Sequence, residues 1–241
     1  MRYGIFADVH GNLEALEAVI AAYKKESIDK YFFCGDVVGY GANPSECIER
    51  IKSLNAVCIA GNHDRVAIEK RDIEKLNIYA KEAMLWTKEN ISQGDKDFLD
   101  SLDLVFQDND FVMVHGTLSD PERFDYLRNF FQATQIFELI ETLVCFVGHS
   151  HAPAIFVEKA YSGDPFKERG VQLNAGCRYI VNAGSVGQPR DGDPKAAYVI
   201  FDTQKKIIEI KRVAYDIKSA QDKILKAGFP KKLAERLVEG N

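Results

Sequence analysis

The chain has 241 residues, of which 46% are hydrophobic, and its formal net charge is −5. A chain of this length folds as one large α/β domain or as two small ones. The mildly acidic charge and the lack of a basic tract argue against a general nucleic-acid binder, and no apolar stretch approaches the roughly 20 residues of a membrane span.

The first sixty residues alternate between short apolar strands and helices. The predicted strands are Ile5–Ala7, Tyr31–Cys34 and Ala56–Ala60. Apolar residues at helical spacing predict one helix over residues 12–25 and a second around residues 47–51. This order indicates a parallel sheet with right-handed crossovers.

The middle of the chain is predicted to be mainly helical over residues 64–102 and then to form a hairpin. The apolar side chains available for packing in the helical part are Ile78, Ala83, Leu85 and Trp86. The two hairpin strands are Leu104–Phe106 and Phe111–Val114. A helix is predicted next over residues 132–142.

The last hundred residues are predicted to be rich in strands. These strands are Leu143–Val147, Ala154–Val157, Tyr179–Val181, Ala197–Phe201 and Ile207–Val213. Two short helices follow, separated by Gly228–Pro230, which is a stop-and-restart signal. Because no linker divides the chain, we expect a single domain over residues 1–241 with two sheets.

Five cysteines are present, and none forms a C-x-x-C pair; they are Cys34, Cys47, Cys58, Cys145 and Cys177. Most lie in apolar runs, so we interpret them as reduced core residues and expect a cytoplasmic protein. The first residues run straight into a strand, so we expect no signal peptide.

All five histidines lie in or beside short turns that also contain aspartate, asparagine or glycine. The turns are Asp8-Val9-His10, Gly61-Asn62-His63-Asp64, Val114-His115-Gly116 and Gly148-His149-Ser150-His151, and Gly35-Asp36 has the same character without a histidine. Histidine is the commonest metal ligand and transfers protons near neutral pH. Since most of these turns follow a predicted strand, we expect them to meet at the carboxyl ends of the strands.

The candidate ligand set contains two carboxylates, one amide and four imidazoles. Its members are Asp8, His10, Asp36, Asn62, His115, His149 and His151. Oxygen and imidazole donors without thiolate suit Mn²⁺, Fe or Zn²⁺ and argue against a structural zinc site. Seven ligands exceed the need of one ion but suit two ions about 3.5–4 Å apart that share one carboxylate. Such an electropositive site suits a phosphoryl anion.

The ordered set of motifs resembles the calcineurin-like metallophosphoesterases over the chain from Arg2 to about Val213. Gly35–Gly41 and Gly184–Arg190 resemble the small bacterial and archaeal phosphodiesterase branch of that superfamily. The resemblance implies an α/β fold, a four-layer αββα sandwich of two mixed sheets flanked by helices.

The resemblance also implies a role for each site residue. Asp8, His10 and His151 would hold the first ion, Asn62, His115 and His149 the second, and Asp36 would bridge the two. The ions would be divalent, with Mn²⁺ first and Fe, Zn²⁺ or Ni²⁺ as alternatives. A hydroxide between them would attack phosphorus in line. His63 would donate a proton to the leaving oxygen or stabilise its charge, and Asp64 would orient the His63 ring.

One departure from the superfamily concerns phosphate binding. Protein phosphatases of the eukaryotic type carry a phosphate-gripping arginine after the Gly-Asp motif, where this chain has Gly39-Tyr40-Gly41. A phosphoprotein substrate is therefore not expected. Arg190 is the candidate substitute, and Tyr40 is a second substrate-contact candidate with packing as its alternative.

An aromatic segment follows His115, and it consists of Phe124, Tyr126, Phe130 and Phe131. These side chains either pack in the core or at a dimer contact, or they wall a pocket for a nucleobase or another aromatic leaving group. Substrate specificity is expected to depend on the loops around residues 116–131 and 158–178.

The function predicted from the sequence is hydrolysis of a phosphodiester in a small phosphate-ester or nucleotide substrate, away from membranes. One alternative is hydrolysis of a phosphoanhydride in a dinucleoside polyphosphate, or of a phosphomonoester. A remote alternative is a non-catalytic scaffold of the same fold, as in the retromer coat, and His63 argues against it. The oligomeric state stays open.

Overall fold

The computed structural model describes residues 1–159, 164–166 and 168–241. Its strands in chain order are β1 (Arg2–Phe6), β2 (Lys30–Phe33), β3 (Val57–Cys58), β4 (Val105–Gln107), β5 (Phe111–Val114), β6 (Val144–Val147), β7 (Ala154–Val157), β8 (Gly170–Gln172), β9 (Tyr179–Asn182), β10 (Ala196–Asp202) and β11 (Ile207–Val213). Its helices are α1 (Leu13–Tyr23), α2 (Pro44–Ser53), α3 (Asn62–Ala67), α4 (Ile78–Asn90), α5 (Gln93–Asp100), α6 (Phe130–Phe137), α7 (Ile217–Lys226) and α8 (Lys231–Glu239).

The strands form two mixed sheets. The first has the order β3-β2-β1-β10-β11-β8, and the second has the order β4-β5-β6-β9-β7. As predicted, β1, β2 and β3 are parallel, and β4 and β5 form an antiparallel hairpin. The strands β5, β6 and β9 form the parallel part of the second sheet.

Alternation of side chains along β1 builds two separate cores. Tyr3 and Ile5 point between the two sheets, whereas Phe6 points toward the helices, as the two-residue period of a strand requires. Tyr3 makes edge contacts with Phe32 and Phe111 at ring distances of 5.1 and 6.0 Å. This aromatic layer holds the two sheets face to face.

Helices cover the outer face of each sheet. On the first sheet the outer core takes apolar side chains from α1, α2, α4, α7 and α8, whereas on the second sheet α6 packs with Ile136 and Phe137. Asn12 caps α1, since its side chain accepts a hydrogen bond from the Ala15 amide at 3.1 Å. The result is the predicted αββα sandwich.

Local details differ from the predictions. Helix α6 begins at Phe130 because the Asn129 side chain caps it, and it ends at Phe137, short of the predicted boundary. Ile78 and Leu85 are 65% and 55% exposed, so their expected role in packing is wrong. Strand β8 was not predicted, since a three-residue edge strand carries no apolar alternation. None of the helices in the described ranges is long and apolar enough to cross a membrane.

Candidate metal centre

The predicted site residues meet at the carboxyl ends of strands from both sheets. Asp8 and Asp36 follow β1 and β2 in the first sheet, and His115 and His149 follow β5 and β6 in the second. Every member of the predicted set is buried: Asp8, His10, Asp36, Asn62, His63, Asp64, His115, His149 and His151. Nine buried polar or ionisable side chains in one place require partners for their polar atoms.

Two triads of possible ligand atoms share one neighbourhood, and a third group bridges them. The first triad is Asp8, His10 and His151, the second is Asp36, His115 and His149, and the bridging group is His10, Asp36 and His63, with the ligand atoms of each group within 4.8 Å of one another. Oδ1 of Asp8 lies 3.2 Å from Nε2 of His151, and Oδ2 of Asp36 lies 3.2 Å from Nε2 of His115. Nε2 of His10 is 3.7 Å from Oδ1 of Asp8 and 3.7 Å from Oδ2 of Asp36, so His10 lies between the two triads.

Main-chain carbonyl groups orient three of the histidine rings through Nδ1. The accepting oxygens are those of Val38 for His10 at 3.0 Å, Cys34 for His115 at 2.7 Å and Gln188 for His151 at 2.6 Å. With the proton on Nδ1, each Nε2 is an acceptor. Nε2 of His10 and Nε2 of His151 are 3.0 Å apart, and two acceptors at that separation repel unless a cation binds both.

Five buried atoms at the centre have no hydrogen-bond partner in the described part of the chain. Four belong to predicted ligands, Oδ1 of Asp8, Oδ2 of Asp36, Oδ1 of Asn62 and Nε2 of His115, and the fifth is Nδ1 of His63. The other carboxylate oxygens are held by the backbone, since Asp8 accepts from the His149 amide at 3.0 Å and Asp36 from the His63 amide at 2.7 Å. Unpaired buried polar atoms are costly. Divalent cations would satisfy the four ligand atoms, so the donor set fits the predicted metal ions.

The backbone of the centre is strained at several of the predicted metal ligands. Five of them adopt left-handed conformations: Asp8, His10, Asp36, His149 and His151, with φ between 49° and 65°. Such conformations cost about 1–3 kcal/mol each and persist only where the surrounding structure imposes them. The tight turns that follow the strands thus aim these side chains inward.

Charges within the centre shift the pKa values of its members. Burial acts against ionisation of Asp8 and Asp36, but the histidines facing them outweigh burial and lower the pKa of both carboxyls. Burial lowers the pKa of His149 to about 3, helped by His115, and the pKa of His151 to about 4, helped by Arg190. Carboxylates and neutral imidazoles are the forms that bind metal ions.

His115 differs from His149 and His151, because its pKa is raised and not lowered. Burial alone would lower its pKa, but the negative charges of Asp36 and Asp8 and the hydrogen bond to the Cys34 carbonyl raise the pKa to about 9. The two carboxylates therefore attract positive charge to the point where the triads meet.

The expected contact between Asp64 and the His63 ring is wrong. The Asp64 carboxylate accepts hydrogen bonds from the amides of Asp36, Val37 and Gly61 at 2.8–2.9 Å and of Val38 at 3.3 Å. Both residues lie in α3, where adjacent side chains do not face each other. Asp64 therefore holds the Asp36 loop, and burial raises its pKa to about 6 together with the Asp36 charge.

The His63 ring is positioned by packing. It lies 4.7 Å from the rings of His10 and Tyr40. A Cβ atom at Gly39 would lie 2.4 Å from Nδ1 of His63, so the ring needs a glycine beside it. Burial lowers the pKa of His63 well below its ordinary value.

The two predicted substrate contacts lie beside the predicted metal ligands. Arg190 and Tyr40 line a cavity of about 250 Å³ together with Asp36, Asn62 and His63. The Arg190 guanidinium donates to Oε1 of Gln188 at 2.9 Å and to the Tyr40 hydroxyl at 3.3 Å. Tyr40 thus packs among the histidines and also faces the cavity.

The aromatic segment divides into three environments. Phe124 and Tyr126 line the same cavity. Phe130 packs on Phe156 at 5.3 Å, and Phe131 is 74% exposed. Of the second predicted specificity loop, 158–178, residues 160–163 and 167 lie outside the described residues.

Several residues of the site carried no signal in the sequence. The carbonyl groups of Val38, Cys34 and Gln188 act through the backbone, which residue type does not reveal. Ser185 supports the site as well, since its hydroxyl donates to the Asp8 carbonyl at 2.8 Å. The cations Arg71, Lys75 and Arg123, which also line the cavity, resemble ordinary solvated charges in the sequence.

Comparison with known proteins agrees with this geometry. The family model of the calcineurin-like phosphoesterase superfamily domain matches residues 1–206. The chain is 42% identical to an uncharacterized protein of Methanocaldococcus jannaschii, with 98% of this chain and 97% of the relative covered.

Two crystal structures are similar over the whole chain. A metallophosphoesterase from Sphaerobacter thermophilus is 35% identical with a TM-score of 0.88, covering 100% of this chain and 99% of the other. A hypothetical protein from Pyrococcus horikoshii is 24% identical with a TM-score of 0.82, covering 100% and 98%, and it shows the fold. By its family match and its relatives, the chain belongs to the calcineurin-like phosphoesterase superfamily.

Proposed function

We propose that this protein is a dinuclear metal-dependent phosphoesterase that hydrolyses phosphodiester bonds in small substrates. The observation that carries the proposal is the set of four unpaired buried ligand atoms, on Asp8, Asp36, Asn62 and His115. They lie within or beside two triads that are bridged by a third group containing His10 and Asp36. A non-catalytic scaffold has no need for polar atoms held unpaired at this cost.

The proposed division of ligands follows the two triads. Asp8, His10 and His151 hold one ion, His115 and His149 with Asn62 hold the other, and Asp36 serves both. Mn²⁺ is the proposed ion, with Fe, Zn²⁺ and Ni²⁺ as alternatives, because the donors are oxygen and imidazole without thiolate. The five cysteines are free thiols, which supports the proposal of a cytoplasmic protein.

The chemistry divides between the ions and the chain. Two bound divalent ions supply a nucleophilic water of lowered pKa and neutralise phosphate charge. Arg190 then binds a non-bridging oxygen of the scissile phosphate, since its guanidinium lines the cavity and suits phosphate oxygens. His63 donates a hydrogen bond or a proton to the leaving oxygen, because its ring lines the same cavity.

Hydrolysis of a nucleotide phosphoanhydride, or of a phosphomonoester, would require the same side chains. Comparing the rates of turnover of a diester, a monoester and an anhydride decides among the three. Metal-stripped protein reloaded with Mn²⁺ is assayed on bis-p-nitrophenyl phosphate, p-nitrophenyl phosphate and diadenosine tetraphosphate. We expect metal-dependent turnover that is fastest on the diester. The absence of turnover on all three substrates, with two ions bound, would overturn the proposal.

Two variants separate the proposed ligands from the proposed proton donor. His63→Ala should lower kcat by about 10²–10⁴-fold while both ions remain bound, because His63 is not assigned as a ligand. Asp36→Asn should lose bound metal as well as turnover, because the amide replaces the shared carboxylate. Elemental analysis of both variants is the measurement. Loss of an ion from His63→Ala would show that His63 is a ligand, as its closeness to His10 and Asp36 allows.

A further inference from the structure

The cavity over the metal centre is lined mainly by positive side chains, although the whole chain carries a net charge of −5. Outside the ligand set, its charged lining groups are Arg71, Lys75, Arg123, Arg190 and a single carboxylate, Asp125. A cleft lined by one sign of charge concentrates ligands of the opposite charge. Arg190 suffices for the scissile phosphate, so three cations remain to be explained.

Arg71 has no carboxylate partner within the described residues. Its guanidinium donates to the main-chain oxygens of Glu122 at 2.6 Å and of Arg123 at 3.0 Å. These bonds fix the group but leave its charge uncompensated, and its Nε is buried without a partner. A partly buried cation without a counterion favours an anionic ligand.

The other two cations are available as well. Lys75 lies in the 3-10 turn Ile73–Lys75 and makes no ion pair with any residue that the structure describes. Arg123 is 3.3 Å from Asp125, with the two side chains 68% and 47% exposed, and such an exposed pair is weak. Neither Lys75 nor Arg123 is held in a strong ion pair within the protein, so both can bind an anionic ligand.

Two of the three tyrosine and phenylalanine side chains that line the cavity, Phe124 and Tyr126, have neighbouring groups against their ring faces, although Tyr126 is 37% exposed. Tyr126 stacks on His149 at 4.0 Å with an interplanar angle of 22°, and the Arg128 guanidinium lies 4.3 Å from the same ring. The Phe124 ring lies beneath Arg71 at 4.9 Å. Because these faces are occupied, charge is the main means of recognition that this wall offers.

We propose that Arg71, Lys75 and Arg123 form a subsite for a second phosphate group of the substrate, separate from the scissile one. The inference rests on the proposed phosphoesterase function and narrows its substrate class to esters or anhydrides with an additional terminal phosphate. Arg71 both holds the 122–124 loop and contributes charge, so Lys75 and Arg123 are the side chains to change.

The test compares two ligands that differ by one phosphate, the dinucleotide ApA and its 5′-phosphorylated form pApA. Their dissociation constants are measured by titration calorimetry on Mn²⁺-loaded His63→Ala protein, so that hydrolysis does not consume the ligand. The same background carries Lys75→Gln with Arg123→Gln, or the control Lys30→Gln. Lys30 is exposed at the amino end of β2, away from the centre.

We expect pApA to bind about tenfold more tightly than ApA, the gain that one charge-assisted hydrogen bond brings. The ratio should fall to near one in Lys75→Gln/Arg123→Gln and persist in Lys30→Gln. Equal binding of the two ligands in the parent, or a preference that survives the double substitution, would overturn the subsite. Wild-type turnover is measured separately, and its absence would overturn the proposed function without altering the ratio.

Discussion

At the scale of single residues, the most consequential contact is that of Asp64 with the loop that carries Asp36. Each oxygen of Asp64 accepts from two backbone amides. An acceptor-only carboxylate suits this position, because an amide would turn its NH₂ group toward N–H donors. From these contacts we propose that Asp64 acts on the centre through Asp36 and not through His63.

Asp64→Asn is therefore expected to weaken metal binding by about 10–100-fold, the usual effect of losing a partner that orients a ligand. Saturating Mn²⁺ should restore kcat, since His63 is untouched. The measurement is a metal titration of turnover. If kcat stayed low at saturating metal with both ions bound, Asp64 would act on His63 after all.

Gly39→Ala tests how the His63 ring is positioned. The added Cβ would lie 2.4 Å from Nδ1 of His63, so the ring must move, and kcat should fall at least about tenfold with the metal content unchanged. Gly228→Ala is the matched control, because Gly228 has a similar φ of +81° but no atom within 4 Å of the added Cβ. It should lose about 1 kcal/mol of stability and keep its kcat.

The sequence predicted which residues meet but not every contact that they make. The motifs placed Asp8, Asp36 and His149 at strand ends, and the parallel sheet brought them together. The pairing of Asp64 with His63 failed because the motif begins a helix, in which neighbouring side chains diverge. The cations of the cavity were missed because nothing local distinguishes a lysine that faces a cleft from one that faces solvent.

At the scale of elements, one side chain links the first sheet to the hairpin of the second. The Tyr3 hydroxyl on β1 donates to Oδ2 of Asp110 at 2.8 Å, just before β5. Burial and the Asp110 carboxylate raise the pKa of Tyr3 to about 12. The neutral phenol is thus the form that the folded protein favours.

Tyr3→Phe should lower the free energy of unfolding by about 1–2 kcal/mol near neutral pH. Because the folded pKa is raised above the ordinary value of about 10, the contribution of Tyr3 is fully present below pH 10 and lost as the pH rises through about 12. Urea unfolding of both proteins at pH 8 to 11 is the measurement. Tyr79→Phe, on an exposed residue of α4, is the control, and an unchanged difference above pH 10 would contradict the assignment.

Some strands were predicted with the correct bounds. The bounds of β7 and β11 match the predictions at both ends. Strand β3 was predicted over five residues and has two; beyond it, the Ile59 amide donates to the Phe33 carbonyl at 3.1 Å, and Ile59 forms an isolated bridge with Asp103. Where such a strand ends depends on a partner residue that is distant in the sequence, and a local sequence pattern does not reveal that partner.

At the scale of the whole molecule, the two sheets draw on interleaved parts of the chain. Strand β8 belongs to the first sheet, although β7 before it and β9 after it belong to the second. Neither sheet can be cut out as a continuous segment. This arrangement supports the proposal of a single domain over residues 1–241.

Calorimetry should therefore show one cooperative unfolding transition, with equal calorimetric and van't Hoff enthalpies. Removal of the ions with a chelator should lower the Tm by about 5–10 °C, as expected when the free ion concentration is about 100 times the Kd. Addition of Mn²⁺ should restore the Tm. Two separate transitions would contradict the single domain. A Tm that is indifferent to chelation would contradict metal binding at the centre.

The contacts at the centre join residues that are far apart in the sequence, and this separation affects how the chain folds while it is being synthesised. The His10 and His151 rings meet across 141 positions of the chain, and the Gln188 carbonyl that orients His151 comes later still. Contacts this distant in sequence form slowly and late. During synthesis, β1 cannot pair with β10, its neighbour in the sheet, until β10 has been made. In the same way, the histidine rings cannot bond to their carbonyl partners until those residues have been added. We therefore expect the proposed metal binding to come at the end of folding, so that a ribosome-bound fragment that stops before β9 should hold no pair of ions.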